Sequence, residues 1–347
     1  MSVCDMAVVS ILIPLLGAPL LPFLGAASKK IRNLAALTMV LLPLVIYAAL
    51  LPGWIGGHTG HVYAVSTPAL AQFGVIVDGL ALVMAFTSAL ISLIIVVYSF
   101  QYIDHYSHQN EYYAMVVIFF GAMMGLVFSS SILYLYVFWE ITAVTSWRLI
   151  GFFRKDSDWA RADKSFYLTV FGALAMLAGF LMIGQQAGTF NLEGIRAVYQ
   201  TVPVSKTAVS LILLGILAKS ATLPLHSWLP DAGVAPSPVT ALLHAAVLVK
   251  IGVYAYARIF IVNIPLDFEI RQVIMIIAGF SALISAGAAF VETDLKRIIA
   301  YSTISQIGFI FLGLASGALI GVAGALLYIL MHGLAKGGLF LCAGIIE

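Results

Sequence analysis

The chain has 347 residues, of which 62% are hydrophobic and only 9% charged, a composition that excludes a soluble globular domain. Such a chain in water would expose apolar surface everywhere, so lipid must be its solvent. A formal charge of +2 with no basic run excludes nucleic acid as a partner, and two cysteines, Cys4 and Cys342, exclude a disulfide framework or a multi-cysteine iron–sulfur site.

The start, MSVCDMAVV, lacks the basic region of a signal peptide and reads as a mature N-terminus. Apolar stretches long enough to span a bilayer fall at about 7–25, 33–51, 79–99, 113–131, 132–152, 163–186, 207–223, 237–258, 271–290, 298–316 and 318–345. These are eleven candidate helices, least sharply divided at 131/132 and 316/318. Prolines 14, 19 and 22 bend the first. Residues 52–78 form a Gly-rich loop without Lys or Arg that has room for a short hairpin. His58 and His61 lie three apart in it, but without a third ligand nearby they read as loop histidines and no metal site is expected.

Counting Lys and Arg sets the orientation. Lys29, Lys30, Arg32, Arg154, Lys155, Arg161, Lys164, Lys296 and Arg297 fall on one side; Arg196, Lys206, Arg258 and Arg271 fall on the other. The excess puts the N-terminus outside and, after eleven spans, the C-terminus in the cytoplasm. Arg148, Lys219, Lys250 and Lys336 remain, all within spans. A charge at membrane depth costs roughly 2.5–3.5 kcal/mol on insertion scales, so it marks an ion path or a paired structural site.

Glu140 sits mid-helix in SILYLYVFWEITAVTSWRLIGFF. Alone it would stay protonated, and beside a lysine it would ionise, which makes it a switch for a lysine's charge. Arg148, eight residues on and roughly on the same face, is its candidate local partner and possible modulator. In AVSLILLGILAKSATLP, Lys219 lies five residues before Pro224, which removes a helical hydrogen bond and breaks the helix. Backbone freed inside a bilayer is tolerated only against protein or a water-filled cavity. A broken helix beside a buried lysine therefore suggests a hydrated ion route.

His244 and Lys250 lie six apart in SPVTALLHAAVLVKIGVYAY, pointing to different faces yet able to serve successive steps of one water chain. Glu292, Asp294, Lys296 and Arg297 read as a solvated turn with a basic topology anchor. In the last helix His332 and Lys336 are four apart on one face, and Gly333, Ala335, Gly337 and Gly338 allow close approach. Lysines and histidines spread through several helices, with few carboxylates, suggest a lateral chain of protonatable groups.

These residues resemble the antiporter-like subunits shared by respiratory complex I, Mrp-type sodium/proton antiporters and membrane-bound energy-converting hydrogenases. The resemblance rests on FGVIVDGLALVMA (73–85), VFWEITAVTSWRLIGFF (137–153), LAKSATLPLHSWLPDAGVAPSPVTALLHAAVLVKIGVYAYAR (217–258), DLKRIIAYSTISQIGFIFLG (294–313) and MHGLAKGGLFLCAGII (331–346). The long central block is the specific one. KSFYLTVFGALAMLAGFLM (164–182) looks nearest to the large Mrp subunit.

The resemblance implies an all-α polytopic bundle with inverted five-helix repeats, each containing a broken helix. It divides the chain into residues 1–112 (helices 1–3 and the external loop), 113–260 (the first repeat) and 261–347 (part of the second). It maps Glu140 and Lys219 onto the gating pair of one proton half-channel, and His244, Lys250, His332 and Lys336 onto the relay. It implies a proton-translocating subunit of a multisubunit complex, with sodium as a further candidate ion and no cofactor or redox centre of its own. A redox-linked pump module and a non-conducting scaffold subunit stay open as alternatives. Two departures stand out: Arg148 replaces an apolar residue, and the sequence ends at Glu347, where relatives continue into helices 12–14. A separate partner polypeptide supplying those helices, a longer chain of which this is a fragment, and loss of through-transport all stay open, the first being the favoured expectation.

Overall fold

The computed structural model describes residues 2–55, 61–64, 74–246 and 248–346, without the side chains of 55, 61–64 and 246. It is a bundle of long apolar helices. Helix α1 (Val3–Gly17) starts at a capping box, in which Ser2 Oγ accepts from Asp5 N at 3.1 Å and Asp5 Oδ2 accepts from Ser2 N at 2.8 Å. A 3₁₀ turn at Ala18–Leu20 passes it into α2 (Leu21–Ala27), with prolines in the first turn of each piece, so the expected bend is a short interruption. Helix α3 (Lys29–Ile55) leads to the hairpin foreseen in the Gly-rich loop, where β1 (His61–Ala64) and β2 (Gly74–Val77) pair antiparallel with His61 opposite Val77. His58 lies outside the described residues, as does the side chain of His61, so the histidine pair is not placed.

Helix α4 (Gly79–Tyr102) is capped by Asp78, whose Oδ1 accepts from Ala81 N at 2.8 Å. Helices α5 (Gln109–Phe128) and α6 (Ile132–Ile150) are split by three buried serines, 129–131. Their backbone bonds outward instead: Ser130 N donates to Gly74 O at 3.0 Å and Leu192 N to Ser130 O at 2.8 Å. Helix α7 (Asp156–Ala187) ends at Gly188, φ +69°, the left-handed position that favours glycine. Short α8 (Leu192–Tyr199) leads to α9 (Lys206–Lys219), which packs along α7. Then come α10 (Trp228–Asp231), α11 (Ser237–Ala241), a π-helical turn (Leu242–Ala246), α12 (Leu248–Tyr256) and a second π-helical turn (Ala257–Asn263). Helices α13 (Phe268–Val291), α14 (Leu295–Ala315) and α15 (Leu319–Ile346) complete the bundle, α14 packing against both neighbours.

Among the described residues nine helices are long and apolar enough to cross a membrane, against eleven expected. The expected spans at 132–152 and 207–223 do not meet that test. Helix α6 is shortened to 19 residues and carries Glu140, Arg148 and several hydroxyls. Helix α9 has 14 residues, about 21 Å of rise against a hydrocarbon core of about 30 Å.

Basic residues gather at one end. Lys29 pairs with Asp104 at 2.8 Å, Arg32 donates to Asn110 Oδ1 at 2.7 Å, Arg154 meets Glu111 at 2.7 Å, and Asp231 holds Lys164 at 2.7 Å and Arg297 at 3.0 Å. Here a cavity of about 990 Å³ opens among His105, Arg161, Asp231, Lys296 and Arg297. The expected solvated turn is only partly so: Lys296 is buried and donates to the Ala235 carbonyl at 3.3 Å. Hairpin β1–β2 marks the opposite end. Arg258, counted there as a loop charge, is fully buried by a bidentate pair with Asp78: Nη1–Oδ2 2.5 Å and Nη2–Oδ1 2.8 Å.

Candidate functional site

The break after α9 comes earlier than Pro224 alone dictates. The helix stops at Lys219, and Ala221 takes a positive φ of 51°. Residues ahead of a proline are pushed out of the helical region, and the left-handed Ala221 turns the chain first. Helix ends leave backbone groups to be satisfied, and here side chains add to the backbone bond from Ala221 N to Ala218 O at 3.2 Å. Trp228 Nε1 donates to Ala218 O at 3.0 Å, and Leu223 N finds Ser281 Oγ of α13 at 3.0 Å. Lys219 is therefore the last residue of its helix, at the negative end of the macrodipole, where a cation is favoured.

The Lys219 side chain is wholly buried. Its Nζ donates to the Trp139 carbonyl at 3.3 Å and lies 5.4 Å from the centre of the Trp139 ring. Glu140 follows Trp139 and interacts electrostatically with Lys219, with Tyr136 one turn earlier as its other neighbour. No ion pair closes between Glu140 and Lys219, and Glu140 Oε1 is buried without a hydrogen-bond partner. The structure brings this predicted pair together but leaves it open.

Arg148 does not partner Glu140. Its Nε donates to Glu111 Oε1 of α5, Arg154 takes Oε2 of the same carboxylate, and the Arg148 guanidinium lies 5.2 Å from the Trp159 ring. Eight residues separate Glu140 and Arg148 by about 12 Å along the axis, so a shared face does not produce contact. The expectation that Arg148 neutralises Glu140 is corrected on that ground.

A second cluster surrounds Lys250. The π turn at 242–246 replaces the rotation of a regular helix between His244 and Lys250. Lys250, also fully buried, turns its Nζ back to the Ala245 carbonyl five residues earlier. Room for that ammonium exists because position 333 of α15 is glycine: a Cβ there would lie 2.6 Å from Lys250 Nζ. His332, beside this glycine, lies within electrostatic reach of Lys250, Lys336 and His244. Lys336 Nζ donates to Ser302 Oγ of α14 at 2.5 Å, and the His244 ring stands 4.7 Å from that of Phe340. Both histidines are buried, and among the described residues both ring nitrogens of each are unpartnered. Four residues predicted from two separate helices thus lie close together, and buried polar atoms of this kind are commonly satisfied by ordered water.

Sequence reasoning missed the supporting groups: the Trp139 carbonyl, Trp228, Ser281, Ser302 and the Asp78–Arg258 pair. For Asp78 there was a signal, an aspartate immediately before a helix as an N-cap. For the others no local pattern exists, since each acts from a distant helix. Among the described residues no cluster of three or more His, Cys, Asp or Glu is arranged to hold a metal.

The chain as a whole is similar to known proteins. The family described as "NADH:quinone oxidoreductase/Mrp antiporter, TM" matches residues 129–347, and "NADH-Ubiquinone oxidoreductase (complex I), chain 5 N-terminus" matches 67–113. One component of the Na(+)/H(+) antiporter of Alkalihalophilus pseudofirmus is 35% identical over 373 residues, covering 100% of this chain and 45% of that protein. One component of the F(420)H(2) dehydrogenase of Methanosarcina mazei is 36% identical over 77% of this chain and 44% of its own length. The Mrp complex from Dietzia sp. contains a chain that superposes with a TM-score of 0.87 at 27% identity, covering 98% of this chain and 37% of that one. A chain of an archaeal membrane-bound sulfane sulfur reductase shares the fold, with a TM-score of 0.90 at 24% identity over 98% of this chain and 71% of its own. The chain spans about half the length of the curated relatives it matches. It is an integral membrane protein of the complex I/Mrp antiporter-like family, whose relatives are subunits of multisubunit membrane complexes.

Proposed function

We propose that this chain moves protons within a multisubunit membrane complex, with Glu140 and Lys219 gating entry and His244, Lys250, His332 and Lys336 relaying charge laterally. The observation that carries this reading is that Lys219 and Lys250 are both wholly buried while neither closes an ion pair among the described residues. Carbonyls hold them instead, and a carbonyl accepts a hydrogen bond from charged and neutral amine alike. A structural lysine at that depth would be paired. The cavity at the basic end supplies water access, and the bias in Lys and Arg makes that end cytoplasmic, with the N-terminus outside and the C-terminus inside.

The route from Lys336 onward we assign to sequence beyond the matched region of the longer relatives, carried in the same polypeptide or by a partner subunit equivalent to helices 12–14. Exchange with sodium and redox drive both come from the kinds of complex in which the relatives occur. The test is Lys219→Ala in the assembled native complex, with proton movement followed in membrane vesicles by a pH-sensitive dye. Coupled proton movement is expected to disappear while the complex assembles normally. Unchanged proton movement would leave a scaffold role in its place.

A further inference from the structure

One face of α12 continues past Lys250 toward the hairpin end. Lys250, Tyr254 and Arg258 are spaced i, i+4 and i+8, so their side chains follow one another along that face. Tyr254 OH donates to the Val127 carbonyl of α5, Arg258 Nε donates to Tyr254 OH at 2.9 Å, and the guanidinium closes on Asp78 at the start of α4. Long polar side chains, rather than close backbone packing, therefore connect α12 to α4 and α5 at this end. Opposite them, α4 carries Ser88 and Ser92 on the same face as Ile91 and Ile95. Ile91 meets α15 beside the Lys250 ammonium: a Cβ on Gly333 would be 2.6 Å from Ile91 Cδ1 as well as from Lys250 Nζ. Ser88 and Ser92 are fully buried, and neither hydroxyl has a hydrogen-bond partner among the described residues.

An unpartnered buried hydroxyl is costly in an apolar helix contact and useful beside a wet compartment. From these contacts we propose that a second route leads from Lys250 toward the hairpin end, lined by Ser88 and Ser92 and held shut by the Tyr254–Arg258–Asp78 latch. The inference rests on the transport reading above and adds an exit to it. The latch joins three elements through the side chains of Tyr254, Arg258 and Asp78, one of them on the Val127 carbonyl, so it can open without a helix moving as a whole. A shut latch keeps protons on the lateral path toward His332 and Lys336. An open one lets them leave beside the hairpin.

The test is passive proton leak in vesicles containing the assembled complex, under an imposed pH gradient and without the driving reaction. Tyr254→Phe removes the hydroxyl that bridges Arg258 and Val127 while keeping the ring. It is expected to raise the leak about threefold to tenfold, the weight of one or two hydrogen bonds. Asp78→Asn, which keeps a capping side chain but no charge, is expected to raise it at least as far. Adding Ser88→Ala and Ser92→Ala to Tyr254→Phe is expected to bring the leak back down. A leak unaltered by Tyr254→Phe in normally assembled complex overturns the proposal, as does a leak that ignores the serines. If Lys219→Ala blocks coupled transport and these variants stay tight, the route fails and the transport reading stands. If Lys219→Ala has no effect, the transport reading itself fails.

Discussion

Arg258 and Lys250 lie two turns apart on one helix face and are equally buried, yet they are held in opposite ways. Arg258 closes two charge-assisted bonds on Asp78 and a third on the Tyr254 hydroxyl. Lys250 has one carbonyl and a space left by a glycine. A closed pair fixes both charges, because removing either strands the other in a poor solvent. An ammonium on a carbonyl can give up its proton and leave no counter-charge behind. If Lys219 and Lys250 carry protons as proposed, pairing rather than burial separates charges that hold the bundle from charges that work in it.

The largest effect should fall on the closed pair. Asp78→Asn keeps a side chain able to cap α4 but leaves Arg258 buried and uncompensated, which costs about 3–5 kcal/mol. A marked drop in the thermal midpoint of the solubilised complex is the expected result. Lys219→Ala is expected to leave that midpoint unchanged or raised, since Lys219 closes no ion pair among the described residues and Glu140, left without it, can hold a proton. Similar losses in the two variants would erase the distinction between paired and working charges.

A smaller effect sharpens the comparison at the working end. Gly333→Ala puts a methyl 2.6 Å from both Ile91 Cδ1 and Lys250 Nζ. Both are ends of flexible side chains, so they move aside, and overpacking of this size costs about 1–3 kcal/mol. The displaced ammonium loses its carbonyl, a charge-assisted bond worth about 1.5–3 kcal/mol. Proton movement is expected to fall about tenfold or more while the complex still assembles. Wild-type proton movement in Gly333→Ala would mean that the position of Lys250 is not critical.

Much of this was legible beforehand, for identifiable reasons. Buried charges announce themselves in a lipid-facing sequence, so Glu140, Lys219, Lys250 and Lys336 stood out, and the structure buries all three lysines. The hairpin in the Gly-rich loop and the interrupted first helix followed from turn residues and prolines. What failed was partner choice. Helical spacing put Arg148 on the face of Glu140, but Glu111 lies on a neighbouring helix and wins. Counting put Arg258 in a loop because a helix-end arginine looks the same whether it meets water or a distant aspartate. The site of the break was also misplaced, since Trp228 and Ser281 make ending at Lys219 tolerable from far along the chain. Local pattern identifies which groups need a partner; only the fold says which partner they get.

The smallest expected effect concerns paired charge in water, the third class against which the buried two are measured. Between α13 and α14, Glu292 Oε2 accepts from Arg297 Nε at 2.9 Å and Oε1 accepts from Thr293 N at 3.0 Å and Asp294 N at 3.4 Å. The Arg297 hydrogen bond first, then the two backbone amides, hold this half-buried carboxyl below its usual range. A depressed folded-state value stabilises the fold above the unfolded value, about 4.3, and that stabilisation is lost as pH falls through the folded value. Glu292→Gln should therefore flatten a small part of the acid loss of thermal stability as pH falls below about 4.3, and change nothing at pH 7 beyond the weak contribution of a surface pair. Identical acid profiles in native and variant complex would assign this turn no electrostatic role. A loss at pH 7 as large as that of Asp78→Asn would show that exposed pairs in this fold bear as much as buried ones, and the ranking of its charges by pairing and burial would fail.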